Sequence, residues 1–211
     1  MNITRLPDDM RILHVQTPEE ISRWAKEFER VYPMVFTQAP YFEATSAAKA
    51  REVWDHLTAI PENITLIALT PQETIAGFGI AIPLKAQRDV ATSISGLIPV
   101  PHTFYLAELG VLEEHRGCGL GRSLVRRRMQ LIDRQRYEGV MLRVAEDRNT
   151  SKSMYEAMGF EDMGVYMDVS ADRVDGTTRS DKRLFLHCVL SQMKLDRADS
   201  VQGAEDVCSG K

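Results

Sequence analysis

Several familiar chemistries are excluded by what this chain lacks. Of its 211 residues only three are cysteine, at Cys118, Cys188 and Cys208. A widely spaced, odd-numbered trio frames neither a disulfide scaffold nor a metal site, so no metal and a reducing, cytoplasmic setting are the expectations. No uninterrupted apolar run reaches the ~20 residues that a membrane span needs. Met1 to Met10 carries charges and Pro7 where a signal peptide would be apolar. The net charge of −4 gives no footing for nucleic acid and weakly favours an amine-bearing partner. There is no internal repeat. The glycine cluster at 117–121 is followed by Arg122 and Ser123, without the lysine of a triphosphate-binding loop. It reads G-x-G-x-G, which is not the G-x-G-x-x-G of a dinucleotide site.

What remains is an ordinary globular composition, 44% hydrophobic and 27% charged, long enough for one well-filled core. Arg11 to Gln16 reads as a strand. Thr17, Pro18 and Glu20 form a capping-box start for a helix whose apolar stripe is Ile21, Trp24, Ala25, Phe28 and Val31, with Pro33 expected to end it. Glu43 to Leu57 reads as a second helix. Ile64–Leu69 and Thr74–Leu84 form a hairpin about Pro71-Gln72-Glu73. Lys85 to His102 is a long connection whose apolar Ile94, Leu97, Ile98 and Val100 suggest a packed cover. Phe104–Leu112 is a strand, and Leu120 to Tyr137 an amphipathic helix stopped by Gly139. Val140–Ala145 is a strand and Ser151–Met158 a short helix. Phe160–Val169 and Leu184–Leu190 are strands separated by a polar loop. Residues 1–195 are expected to be one domain and 196–211 a disordered tail. The order β-α-α-β-β-β-α-β-α-β-β implies an α/β fold, a mixed sheet between helical layers.

The chemistry concentrates where the strand at Phe104–Leu112 meets the next helix. Alternate glycines at Gly117, Gly119 and Gly121 let the backbone turn tightly and expose its N–H groups at a helix N-terminus. The backbone of Gly117, Cys118, Gly119, Leu120, Gly121 and Arg122 then forms an anion cradle suited to a pyrophosphate, with Arg116 and Arg122 adding charge. Strict alternation places Phe104, Leu106 and Glu108 on one face of the strand, and Tyr105, Ala107, Leu109 and Val111 on the other. Glu108 is a carboxylate among apolar neighbours, either a general base with a raised pKa or a structural carboxylate paired with an arginine. Gly110 suggests a bulge or a close ligand approach.

Two segments carry a family resemblance. Arg116, Gly119 and Gly121 resemble the coenzyme A loop of the GNAT N-acetyltransferase superfamily. Downstream, Asn149-Thr-Ser-Lys-Ser-Met-Tyr155-Glu-Ala-Met-Gly159-Phe160 is similar to that family's asparagine, tyrosine and Gly-Phe signature, with the Asn149-to-Tyr155 interval shorter than the family's. The resemblance covers about residues 10 to 190. It implies a GNAT-like three-layer fold and acetyl-CoA as co-substrate. The Phe104–Leu112 strand would splay from its neighbour, and backbone N–H groups at Leu109 and Val111 would polarise the thioester. Tyr155 would be the general acid for the departing thiolate, or else a core aromatic. Asn149 would bind the cofactor, cap its helix, or both. Cys118 is read as a loop residue offering its backbone, since the family transfers acyl groups without a cysteine intermediate. Arg126, Arg127 and Arg128 read as a solvated face from which one side chain could reach coenzyme A. His102 and His115 flank the region. Tyr32, Phe36, Tyr41 and Phe42, the Lys85–His102 connection and the Ala171–Arg183 loop are the candidate acceptor walls. The acceptor expected is the primary amine of a small molecule. A non-catalytic acyl-CoA sensor and a protein N-terminal or lysine acetyltransferase are the alternatives, and a homodimer is admissible.

Overall fold

The computed structural model describes residues 10–39, 41–146 and 149–192. The tail expected at 196–211 lies outside them. The order is β1 (Arg11–Val15), α1 (Pro18–Phe36), α2 (Ala47–Thr58), β2 (Ile64–Leu69), β3 (Ile75–Pro83), α3 (Arg88–Ser93), β4 (Thr103–Val111), α4 (Leu120–Leu131), β5 (Gly139–Ala145), α5 (Asn149–Ala157), β6 (Glu161–Asp172) and β7 (Thr178–Val189). The seven strands form one sheet in the order β1-β2-β3-β4-β5-β7-β6. Only β4 and β5 pair in parallel. Helices α1, α2 and α3 pack on one face around Phe28, Trp54, Phe78 and Ile80. On the other face α4 and α5 pack around Leu124, Met129, Phe104 and Phe160. The expected mixed α/β layer fold is the one observed. Among the described residues no helix is long and apolar enough to cross a membrane.

Helix α1 begins as its sequence dictates. Thr17 Oγ1 accepts from Glu20 N and Glu20 Oε2 accepts from Thr17 N, at 3.2 and 3.1 Å. It does not stop at Pro33, which lies inside it. An interior proline costs about 3 kcal/mol, but the last turn buries Val35 and Phe36, and two such side chains contribute about 1.5–3 kcal/mol each. Helix α4, in contrast, ends early, at Leu131. There Asp133 accepts from Gln135 N at 2.9 Å, a local turn that competes with further helix. Gly139 is not a helix stop. It opens β5, where a Cβ would lie 2.5 Å from His187 Nε2.

The connection at Lys85–His102 is a cover in part. Val90 and Ile94 are buried, while Leu97 is exposed. The polar stretch at 171–183 is no loop. β6 and β7 continue as a two-stranded ribbon to Asp172 and Thr178, its half-exposed faces giving the polar composition of a loop. The ribbon's tip clasps the α1–α2 connection. Ala44 N donates to Asp172 O at 2.7 Å, Val174 N to Phe42 O at 3.0 Å, and Arg173 Nη1 to Tyr41 O at 2.7 Å.

Candidate active site

The site forms where the sheet opens. β4 and β5 pair only through Thr103–Tyr105 and Gly139–Met141, then part. From Leu106 onward the β5-facing edge of β4 has no ladder partner in β5. A bulge lies at this point. Ile80 pairs with Glu108 and Ala81 with Leu106, so Ala107 is the extra residue.

The bulge corrects the alternation read from the sequence. Beyond it, Leu109 and Val111 join Phe104 and Leu106 against α4 and α5, while Glu108 turns to the α1 face with Tyr105. One inserted residue therefore moves the carboxylate through the sheet. Gly110 is not the bulge, nor a ligand approach. The Phe78 ring lies over it, and a Cβ would meet that ring at 2.3 Å.

A buried arginine holds the bulge. Arg128 is fully buried, donating Nη1 to Ile80 O at 3.0 Å and Glu108 O at 2.8 Å, and Nε to Leu124 O at 3.2 Å. Its guanidinium lies so close to Gly79 that a Cβ there would sit 2.8 Å from Nε. The expectation of a solvated face fails for Arg128. Burial lowers its pKa to about 10, so it stays charged at neutral pH, and its field acts on Tyr155 and Glu108.

Glu108 and Tyr155 line one cavity of about 240 Å³, together with Tyr32, Phe36, Tyr41, Glu43, Tyr105, Arg143 and Arg183. Burial, then the like charge of Glu43, raises the Glu108 pKa to about 7. Arg143, the Tyr32 hydroxyl and Arg128 pull the other way. Tyr32 Oη lies 3.5 Å from Glu108 Oε2. Burial raises the Tyr155 phenol to about 12, against the pull of Arg128. Tyr155 also packs edge-on to Phe160, with ring centroids 5.5 Å apart.

Of the expected acceptor walls, Tyr32, Phe36 and Tyr41 line the cavity, but Phe42 is half exposed and does not. The Lys85–His102 connection supplies no lining residue. The ribbon supplies Val169 and Arg183. Glu43, Arg143 and Arg183 escaped sequence reasoning. Arg183 Nη2 donates to Glu43 Oε1 at 2.9 Å and to Asp181 Oδ2 at 3.4 Å, and Arg173 pairs with both carboxylates. The unexpected cluster of charge in a half-polar hairpin was the signal available.

The glycine loop connects β4 to α4. Gly117 and Gly119 have φ of +80° and +86°, and Gly119 is the N-cap of α4 with no side-chain cap. The first N–H groups of a twelve-residue helix are thus left for an anion. A Cβ on Gly121 would lie 3.8 Å from the Val111 side chain, so the loop runs beside β4. Two nitrogens of Arg116 are engaged by main chain. Its Nε donates to Val111 O at 3.0 Å and its Nη1 to Ala39 O at 2.8 Å, which ties the loop to β4 and the α1–α2 connection. Arg122 stands half-exposed in the first turn. Cys118 Sγ contacts His115 O at 3.0 Å, and His102 Nδ1 lies 3.0 Å from Arg136 O. Neither histidine nor Cys118 lines the cavity. Asn149 begins α5, and its side chain lies outside the described residues.

The sequence profile of the acetyltransferase (GNAT) family matches residues 21–160 of the 211. The chain belongs to the GNAT acetyltransferase family. Solved GNAT structures share the fold. A GCN5-related N-acetyltransferase from Kribbella flavida superposes with a TM-score of 0.58 at 15% identity, covering 87% of this chain and 99% of that one. Spermidine N-acetyltransferase from Vibrio cholerae, in complex with CoA and spermine, gives 0.56 at 13% identity, covering 88% and 98%. Among curated proteins, N-acetyltransferase family 8 member 2 of Rattus norvegicus is 35% identical over 71 residues, 34% of this chain and 31% of that protein. The match thus spans about a third of that relative's length. The GNAT family uses acetyl-CoA, and the open β4–β5 edge and uncapped α4 terminus fit it. Among the described residues no group of three or more His, Cys, Asp or Glu could hold a metal.

Proposed function

We propose that this chain moves an acetyl group from acetyl-CoA to the primary amine of a small molecule by direct transfer. Residues 1–195 form the single domain that carries it. Acetyl-CoA supplies an activated thioester. The observation that carries the reading is that one cavity brings a near-neutral carboxylate and a protonated phenol to the place where β4 and β5 part.

Each residue then has a stated task. The uncapped α4 terminus and the backbone of Gly117 to Arg122 bind the diphosphate. The β4 backbone at Leu109 and Val111 orients the thioester carbonyl. Glu108, directly or through a water, takes the proton of the acceptor ammonium. With a pKa of about 7 it is ionised for about half of molecules at neutral pH, where a base of that strength is useful. Tyr155 faces the departing sulfur. A phenol at about 12 stands above a thiol at about 8.5, so full proton transfer runs uphill and the phenol acts by hydrogen bonding. Asn149, at the start of α5, is the remaining cofactor contact.

Calorimetric titration with acetyl-CoA, followed by thiol release across an amine panel, tests the reading. Micromolar binding with release is expected. Binding without release from any small amine would shift the function to a sensor or a macromolecular acceptor. Glu108 and Tyr155 in one cavity favour the enzyme over a sensor, and the cavity's volume of about 240 Å³ favours a small acceptor over a protein.

A further inference from the structure

The charges lining the cavity discriminate among amines. Its two carboxylates are Glu43 and Glu108. Glu43 is held by Arg183 at 2.9 Å and by Arg173 at 3.7 Å. Glu108 is assigned to the reacting amine. A second ammonium on the acceptor would find no lining carboxylate left for it, and would meet the guanidinium groups of Arg143 and Arg183 instead.

Arg143 is the unusual member. It rises from β5 into the cavity, with a side chain only 22% exposed. Nε donates to the neutral Tyr105 hydroxyl at 2.8 Å, and Nη1 contacts the Met167 thioether at 2.9 Å, a weak acceptor. Among the described residues its ion pair is with Asp89, at 3.7 Å, beyond a hydrogen bond and on a side chain 53% exposed. Among the described residues Nη2 makes no hydrogen bond. A guanidinium hydrogen-bonded in a cavity to neutral partners alone, with Nη2 unengaged, has N–H donors left for an anion. Arg143 is also close enough to Glu108 for its charge to favour that carboxylate's ionised form, so both can reach one small molecule. Tyr32, Phe36 and Tyr41 leave an aromatic wall for the rest of it.

Resting on the acetyl-transfer reading, we propose that the acceptor is an amino carboxylate of amino-acid size, its amine at Glu108, its carboxylate on Arg143 and its apolar side chain against the aromatic wall. One proton of the ammonium passes to Glu108, the nitrogen bonds the acetyl carbon, the carbon–sulfur bond breaks, and the departing thiolate takes up the second proton that the nitrogen gives up as it becomes an amide. The product is an N-acetylated amino acid.

The test uses the whole chain. Acetyl-CoA binding is first measured by calorimetry. Thiol release is then compared for the proteinogenic amino acids, their decarboxylated counterparts such as phenylalanine against phenethylamine, and spermidine, with rates expressed per deprotonated amine. A carboxylate-bearing member is expected to exceed its decarboxylated partner at least about tenfold in kcat/KM. Arg143→Gln should lower that value about ten- to a hundredfold, chiefly through KM, as loss of a charged hydrogen-bonded pair does. Loss of its charge also raises the Glu108 pKa and slows both members, so the reading is the ratio: the preference for the carboxylate-bearing member over the plain amine should shrink about tenfold, and Arg143→Lys should restore part of it. The wild-type pairs decide the matter even where a variant fails to fold. Equal or better turnover of the plain amines or spermidine overturns the proposal, as does equal loss of both members in Arg143→Gln. Acetyl-CoA binding with no release from any member overturns it too. Absence of acetyl-CoA binding would instead overturn the acetyl-transfer reading, and is seen before any acceptor is added.

Discussion

The two faces of the sheet are built from different materials. On the α4 face the candidate donor site is main chain: a helix N-terminus, two glycines with positive φ and an open strand edge. On the α1 face the candidate acceptor site is side chain: Tyr32, Glu43, Glu108, Arg143 and Arg183, from five separate parts of the chain. Backbone donors bind a diphosphate whatever side chains surround them. Charged side chains in a cavity shift each other's proton affinity and select a ligand by its charges. The first face therefore depends little on side-chain identity, and the second depends on it throughout.

Substitutions on one face should leave the other's measurements alone. The largest effect is expected from Glu108→Gln, which should lower kcat/KM about 10²–10⁴-fold and leave the acetyl-CoA Kd unchanged. The wild-type profile should rise with pH through about 7 as Glu108 ionises, and this limb should vanish in the variant. The same change should stabilise the fold. A carboxylate whose folded pKa lies above its unfolded value binds more protons folded than unfolded between the two. Stability then falls as pH rises from about 4.5 to about 7, by about 3 kcal/mol at 1.36 kcal/mol per unit. Denaturant titrations should show Glu108→Gln ahead by about that much at pH 8 and level with wild type at pH 4.

Arg173→Ala comes next. It leaves Glu43 and Asp181 with one partner fewer, and loss of a buried pair costs about 3 kcal/mol. Thermal melts should show that loss, and the acceptor KM should rise with acetyl-CoA affinity kept. On the other face Gly119→Ala forces a side chain into a left-handed conformation at about 1–2 kcal/mol. The acetyl-CoA Kd should weaken about tenfold while the acceptor KM holds. A change in both constants would show that the faces are coupled. The smallest effect is expected from Tyr32→Phe, which removes a hydrogen bond favouring ionised Glu108 and should move the pH limb upward. Glu43→Gln, removing a like charge, should move it downward.

This contrast also explains what could be read in advance. The glycine loop lies within six consecutive residues, and a local pattern announces a local structure. Strand and helix order followed from periodicity and capping, as at Thr17 and Glu20. The acceptor face was legible only as a handful of aromatics, because Glu43, Arg143 and Arg183 meet through tertiary packing. The bulge at Ala107 was invisible for the same reason. Alternation assumes an unbroken pleat, and the residue that holds the break open, Arg128, lies on a different element. Pro33 failed as a stop signal because the burial that overrides it belongs to the core.

The clasp at the ribbon tip has a mechanical consequence. The α1–α2 connection supplies Tyr41 and Glu43 to the cavity, and the ribbon holds that connection through Ala44, Val174 and Arg173. At about 1 kcal/mol for each ordinary hydrogen bond, and more for the charged one, the form with all three parted is populated at no more than about one per cent. This wall of the cavity is therefore set before any ligand arrives, and little conformational freedom is left in it to be lost on binding.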